Sequence, residues 1–139
     1  MKLTDIEDIR NYLRGGSAEF TLQSIKTGSH HTYRLRQIPN GTGFFVTHLT
    51  GPDNDSEHDY RYLGIMSDAI DRLIATKATG PMGPAFIGLG WFLRCLASNC
   101  EKLSQVEFLH SGKCSKCGRK LTTPESIKRG MGPVCREKL

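Results

Sequence analysis

His110, Cys114, Cys117 and Cys135 follow one another as His-x3-Cys-x2-Cys-x17-Cys. Two cysteines with two residues between them on a tight turn can place both thiolates on one ion, and zinc then needs two more ligands to complete its tetrahedron. Gly118, directly after Cys117, supplies the permissive backbone that such a knuckle needs. Cys135 follows Gly132-Pro133, and proline favours the first helical position, so Cys135 is expected in the first turn of a terminal helix. A knuckle joined to a ligand at a helix start is the geometry of a treble-clef zinc finger. The spacing leaves the fourth ligand open. His110 stands at the end of a predicted strand that feeds the knuckle, Cys100 would give a site of four cysteines, and a water-bound position would make the ion catalytic rather than structural.

Other chemistries fit these residues less well. A redox Cys-x2-Cys would need a βαβ setting, whereas "GRKLTTPESIKRG" follows here. Cys95, within an apolar run, reads as a small buried hydrophobe. Asp53, Asp55, Glu57 and Asp59 alternate like calcium ligands, but a calcium loop starting at Asp53 would need glycine at position 58 and glutamate at position 64, which are His58 and Gly64. "TGPMGP" has no Lys-Ser/Thr after it and is no phosphate loop. His30-His31 reads as a surface pair beside a turn. No catalytic signature such as G-x-S-x-G or H-E-x-x-H occurs, so a non-enzymatic protein is expected.

Cations crowd the same stretch. Lys113, Lys116, Arg119 and Lys120 surround the knuckle, and Lys128, Arg129, Arg136 and Lys138 follow it. Residues 110–139 hold eight Lys/Arg against two acids, while the preceding 109 residues hold eleven against twelve, so the net charge of +5 resides in the C-terminal segment. A basic surface of this kind calls for an acidic partner, of which nucleic acid is the commonest. Tyr33, Arg34 and Arg36 on a predicted strand offer a second basic and aromatic set of the sort that binds single strands.

The elements that must hold these residues can be read from pattern. Thr4-x-x-Glu7 has the form of a capping box, with Ile6, Ile9 and Leu13 at helical spacing and Gly15-Gly16 as a stop. "EFTLQS" and "HHTYRLRQI" read as strands around a turn at Lys26-Thr27-Gly28-Ser29, followed by the strands "GFFVTHLT" and "YRYLGIM" across a polar loop. Ser67 is expected to cap a helix bearing Ile70, Leu73 and Ile74. "AFIGLGWFLRCLA", residues 85–97, reads as an apolar core helix weakened by Gly88 and Gly90. "QVEFLH" is a short strand leading into the knuckle. The expected fold is α+β: an antiparallel sheet of about four strands packed on helices over residues 1–104, then a zinc-finger module over 105–139. Hydrophobic residues make up 37% of the chain, so a metal staple would supplement a modest core. No apolar run is long enough to span a bilayer, and the acidic start is no secretory signal, so a cytoplasmic setting in a bacterial host is expected.

"HSGKCSKCGRKLTTPESIKRGMGPVC" closely resembles the C-terminal module of a domain-of-unknown-function family common in phages and prophages. The likeness is dense over residues 108–135 and weaker upstream, through "HTYRLRQ", "FFVTHLTGPDND" and "YRYLGIM". The resemblance implies one structural zinc ion held by His110, Cys114, Cys117 and Cys135 and a mobile-element origin; it implies no established activity. On that analogy the chain is expected to inhibit host nucleic-acid machinery, as an anti-CRISPR protein does by binding a Cas effector. The alternative is a DNA- or RNA-binding accessory protein of phage replication or recombination. In either case the contact residues would be Lys113, Lys116, Arg119, Lys120, Lys128 and Arg129.

Overall fold

The computed structural model describes residues 2–39, 41–52, 56–78, 83–121, 127 and 130. Helix α1 (Ile6–Leu13) is capped by Asp5, whose carboxylate accepts the Glu7 and Asp8 amide protons at 2.9 and 3.1 Å. The cap therefore falls one residue later than the expected Thr4 box. Glu7 and Asp8 in the first turn complement the positive end of the helix. Ile9, Tyr12 and Leu13 are buried on one side.

The sheet has seven strands rather than about four. They are β1 (Lys2–Leu3), β2 (Glu19–Ser24), β3 (His30–Gln37), β4 (Phe44–Leu49), β5 (Tyr60–Met66), β6 (Leu73–Ile74) and β7 (Val106–His110). Their order is β1-β7-β2-β3-β4-β5-β6, antiparallel throughout. The expected meander is β2 to β5. β7 inserts between β1 and β2, with Phe108 opposite both Leu3 and Leu22. Residues 106–110 are thus built into the sheet of the N-terminal part. Phe108 stacks at 4.8 Å on Phe20 and at 5.9 Å on Phe92, and meets the Tyr12 ring edge-on at 5.7 Å.

The helix expected after Ser67 is absent, and β6 lies where it would have continued. The Ser67 hydroxyl accepts from the amides of Asp71 and Arg72 at 3.1 and 3.2 Å and donates to the Asp71 carboxylate at 2.7 Å. That closes a turn in which Ile70 sits at φ 58° and is fully buried. A left-handed conformation costs a non-glycine residue about 1–2 kcal/mol, and burying an isoleucine returns about 1.5–3 kcal/mol. Burial wins, and the helical spacing of Ile70, Leu73 and Ile74 goes unused.

Helix α2 (Pro84–Ser98) starts with proline in its first turn and ends at Asn99, which is left-handed at φ 54°. Leu89, Phe92, Leu93 and Leu96 recur at helical spacing and are buried against the sheet. The Tyr33 hydroxyl donates to the Ala85 carbonyl at 2.7 Å and fixes the helix start over β3. Among the described residues no helix is long and apolar enough to cross a membrane.

Candidate metal and nucleic-acid contact site

Beyond β7 the chain doubles back on itself. Lys113 and Lys120 form an antiparallel bridge, Cys114 N–H donates to Arg119 O at 2.8 Å, and Gly118 N–H donates to Cys114 O at 2.9 Å. Gly118 takes φ 77°, the left-handed conformation expected of the residue that follows a knuckle. Cys114 is buried with Leu121, against Ile127, while Cys117 is exposed. The hairpin is anchored to the sheet rather than tethered to it. Ser17 N–H donates to Ser115 O at 2.6 Å, Ser115 N–H donates to Gly130 O at 3.2 Å, and Ser111 N–H reaches Glu19 O at 3.2 Å.

Both ring nitrogens of His110 have hydrogen-bond partners. Its Nδ1 accepts the Gly112 N–H at 3.0 Å and its Nε2 lies 2.6 Å from Ile127 O. An amide N–H can only donate and a carbonyl can only accept, so the ring is neutral with its proton on Nε2. Burial lowers its pKa, while the Ile127 carbonyl pulls the other way. Both nitrogens are occupied in a residue 4% exposed. Cys100 is also remote from the knuckle. It precedes the turn at Glu101–Gln105 and β7 while the knuckle follows them, so the length of β7, about 16 Å for five strand residues, runs between the two. The Cys100 Sγ instead accepts the Lys102 N–H at 3.4 Å and faces the Cys95 thiol, which burial pushes up to about 11. Cys135, Lys128 and Arg129 lie outside the described residues, as do Asp53, Asp55 and most of "TGPMGP". Among the described residues no group of three His, Cys, Asp or Glu side chains stands close enough to hold an ion. By residue type and turn geometry Cys114 and Cys117 fit a zinc knuckle; His110, as bonded here, does not.

The cations of the hairpin are where the sequence placed them. Lys113, Lys116, Arg119 and Lys120 are all exposed, and none has an ion-pair partner among the described residues. Tyr33, Arg34 and Arg36 are split between two faces. Tyr33 is fully buried under α2. Arg34 is held by Glu19 at 3.1 Å and lies over the Tyr60 ring at 4.1 Å, and Arg36 is exposed. Gln37 N–H donates to Gly16 O at 3.1 Å, so Arg36 lies at the end of the sheet where Ser17 pins the hairpin. The anchoring groups, Ser17 N–H and the Ile127 carbonyl, are backbone atoms and leave no signature in residue type.

Residues 105–139 match a family of unknown function (DUF6011). The match covers the knuckle and roughly the last quarter of the chain, the stretch in which the resemblance was dense. No curated protein and no solved structure matches the chain.

Proposed function

We propose that this chain is a non-catalytic, zinc-stapled protein that binds nucleic acid directly through its basic knuckle, as an accessory factor of a phage or other mobile element. The observation that carries the reading is the exposure of Lys113, Lys116, Arg119 and Lys120 on a hairpin pinned by backbone hydrogen bonds to the end of the sheet. A rigid cluster of solvated cations is suited to phosphate contact, where affinity comes from counterion release and not from buried area. Zinc, held by Cys114 and Cys117 together with Cys135, would cross-link a segment too poor in apolar side chains to hold itself by burial.

The test is fluorescence anisotropy with short single- and double-stranded oligonucleotides over a salt series. Three to four phosphate contacts should give a log–log slope of about −3, and the double variant Lys116→Glu/Arg119→Glu should abolish binding without changing the thermal midpoint. A salt-independent interaction, or full binding by the double variant, would remove the knuckle as the contact surface. A stable complex with a purified Cas effector and no oligonucleotide affinity would establish the inhibitor reading in its place.

A further inference from the structure

Gly88 in α2 is not forced by close packing. A β-carbon there would meet nothing nearer than the Tyr33 hydroxyl at 3.9 Å. The missing side chain helps to leave open a cleft of about 520 Å³ between α2 and the β2–β3 hairpin. Leu22, Ile87, Trp91, Phe92 and Val106 give it an apolar lining. Ile87 beside it is 60% exposed, an unusual position for a branched aliphatic side chain on a core helix.

Six side chains of the lining carry polar atoms; the Ser24 and Ser29 hydroxyls are bonded to Thr27 and the Tyr33 hydroxyl to the Ala85 carbonyl, which leaves three groups, the His31 imidazole, the Gln105 amide and the Trp91 indole N–H. None of the three side chains has a hydrogen-bond partner among the described residues. Burial, and then the neighbouring His30, lower the His31 pKa, which leaves a neutral ring able both to donate and to accept. Among the described residues the lining contains no Lys, Arg, Asp or Glu. A phosphate or carboxylate would therefore lose its water without gaining a counter-charge. The cleft also stands apart from the basic knuckle. It borders Ser24 and Val106, which pair at one end of the β2–β7 ladder, while the knuckle follows His110, which pairs with Phe20 at the other.

We propose that this cleft binds an uncharged heteroaromatic small molecule. Its volume falls in the range of about 300–1,000 Å³ typical of ligand sites, and sites of that kind combine an apolar lining with a few polar groups that fix orientation. The half-buried Trp91 ring favours a flat π-system, and the three polar groups suit one or two ring heteroatoms.

Trp91 is the sole tryptophan of the chain, so its indole N–H gives a single, assignable resonance. The full chain is titrated with quinoline, neutral near pH 7, and separately with quinoline-2-carboxylate. Quinoline should shift the indole resonance saturably at millimolar or lower concentration, with the carboxylate at least about tenfold weaker. Gly88→Leu places a side chain in the cleft and raises helix propensity, so its thermal midpoint should hold or rise while the shift is lost. Should that variant not fold, Ile87→Glu at the exposed rim carries the same test and should weaken quinoline by a similar factor. No saturable shift, an undiminished shift in the folded variant, or equal affinity for the carboxylate would overturn the proposal.

Discussion

Each nitrogen of a neutral imidazole has one role: one donates its proton and the other offers a lone pair. In His110 the proton goes to the Ile127 carbonyl and the lone pair receives the Gly112 amide. A zinc ligand must present a bare lone pair, so His110 could coordinate only by abandoning one of these partners in a buried site. A buried amide or carbonyl left unpaired costs about 1–3 kcal/mol. So bonded, the ring ties the end of β7 to Ile127. His110→Ala should lower stability by about 1–3 kcal/mol, read as a fall in the urea midpoint, yet keep bound zinc at the parental stoichiometry by metal analysis. Cys114→Ser should show the reverse pattern, with zinc lost from the chain. If His110→Ala folds but binds no zinc, the histidine is a ligand after all.

At the scale of elements, the knuckle depends on how closely α1 is followed by bare backbone. A β-carbon on Gly15 would stand 2.8 Å from the Ser115 carbonyl carbon and oxygen, and that carbonyl is already fixed by the Ser17 amide. Backbone cannot yield as a side-chain tip can, so Gly15→Ala should cost about 1–3 kcal/mol and lower the thermal midpoint. An unchanged midpoint would show that the hairpin is not pinned there. The elements themselves were unevenly legible in sequence. Strands β2 to β5 alternate over six to eight residues around turn-forming Gly28, long enough for the period to speak. β1 and β6 have two residues each and cannot show a period; only pairing with β7 and β5 makes them strands. Ile70, Leu73 and Ile74 carried a genuine helical spacing that a buried left-handed turn overrode. Tyr33 was visible as a strand residue, but alternation does not say which face α2 will cover. The knuckle was legible because Cys-x2-Cys-Gly is a local motif. The bonding of His110 was not, because the Gly112 amide and the Ile127 carbonyl that meet its ring are backbone atoms and look like any other N–H and C=O.

For the molecule as a whole, insertion of β7 beside β1 draws the first and last strands together in one sheet, and Leu3, Tyr12, Phe20, Phe92 and Phe108 share one core. Several titratable rings are carried into or against that core, which sets limits on stability at both extremes of pH. His48 lies opposite Tyr33 and near His31 on the α2 side of the sheet. Burial, followed by the neighbouring imidazole, holds both histidines below the ordinary value of 6.5. In the unfolded chain they protonate near 6.5, before the native rings do, so the unfolded state binds more protons just below that pH and stability falls with acidification. The loss should begin as pH drops through about 6.5 and level off once the native rings are also charged. At the alkaline side the sign reverses. Burial pushes the Tyr12 phenol up to about 12 and that of Tyr33 higher still, so the native state keeps protons that the unfolded chain releases near 10. Stability should therefore decline as pH rises above about 10. Urea midpoints from pH 5 to 11 should trace a dome, and His48→Gln should flatten its acidic limb while leaving the alkaline limb in place. An acidic limb unchanged in that variant would assign the proton uptake to other groups.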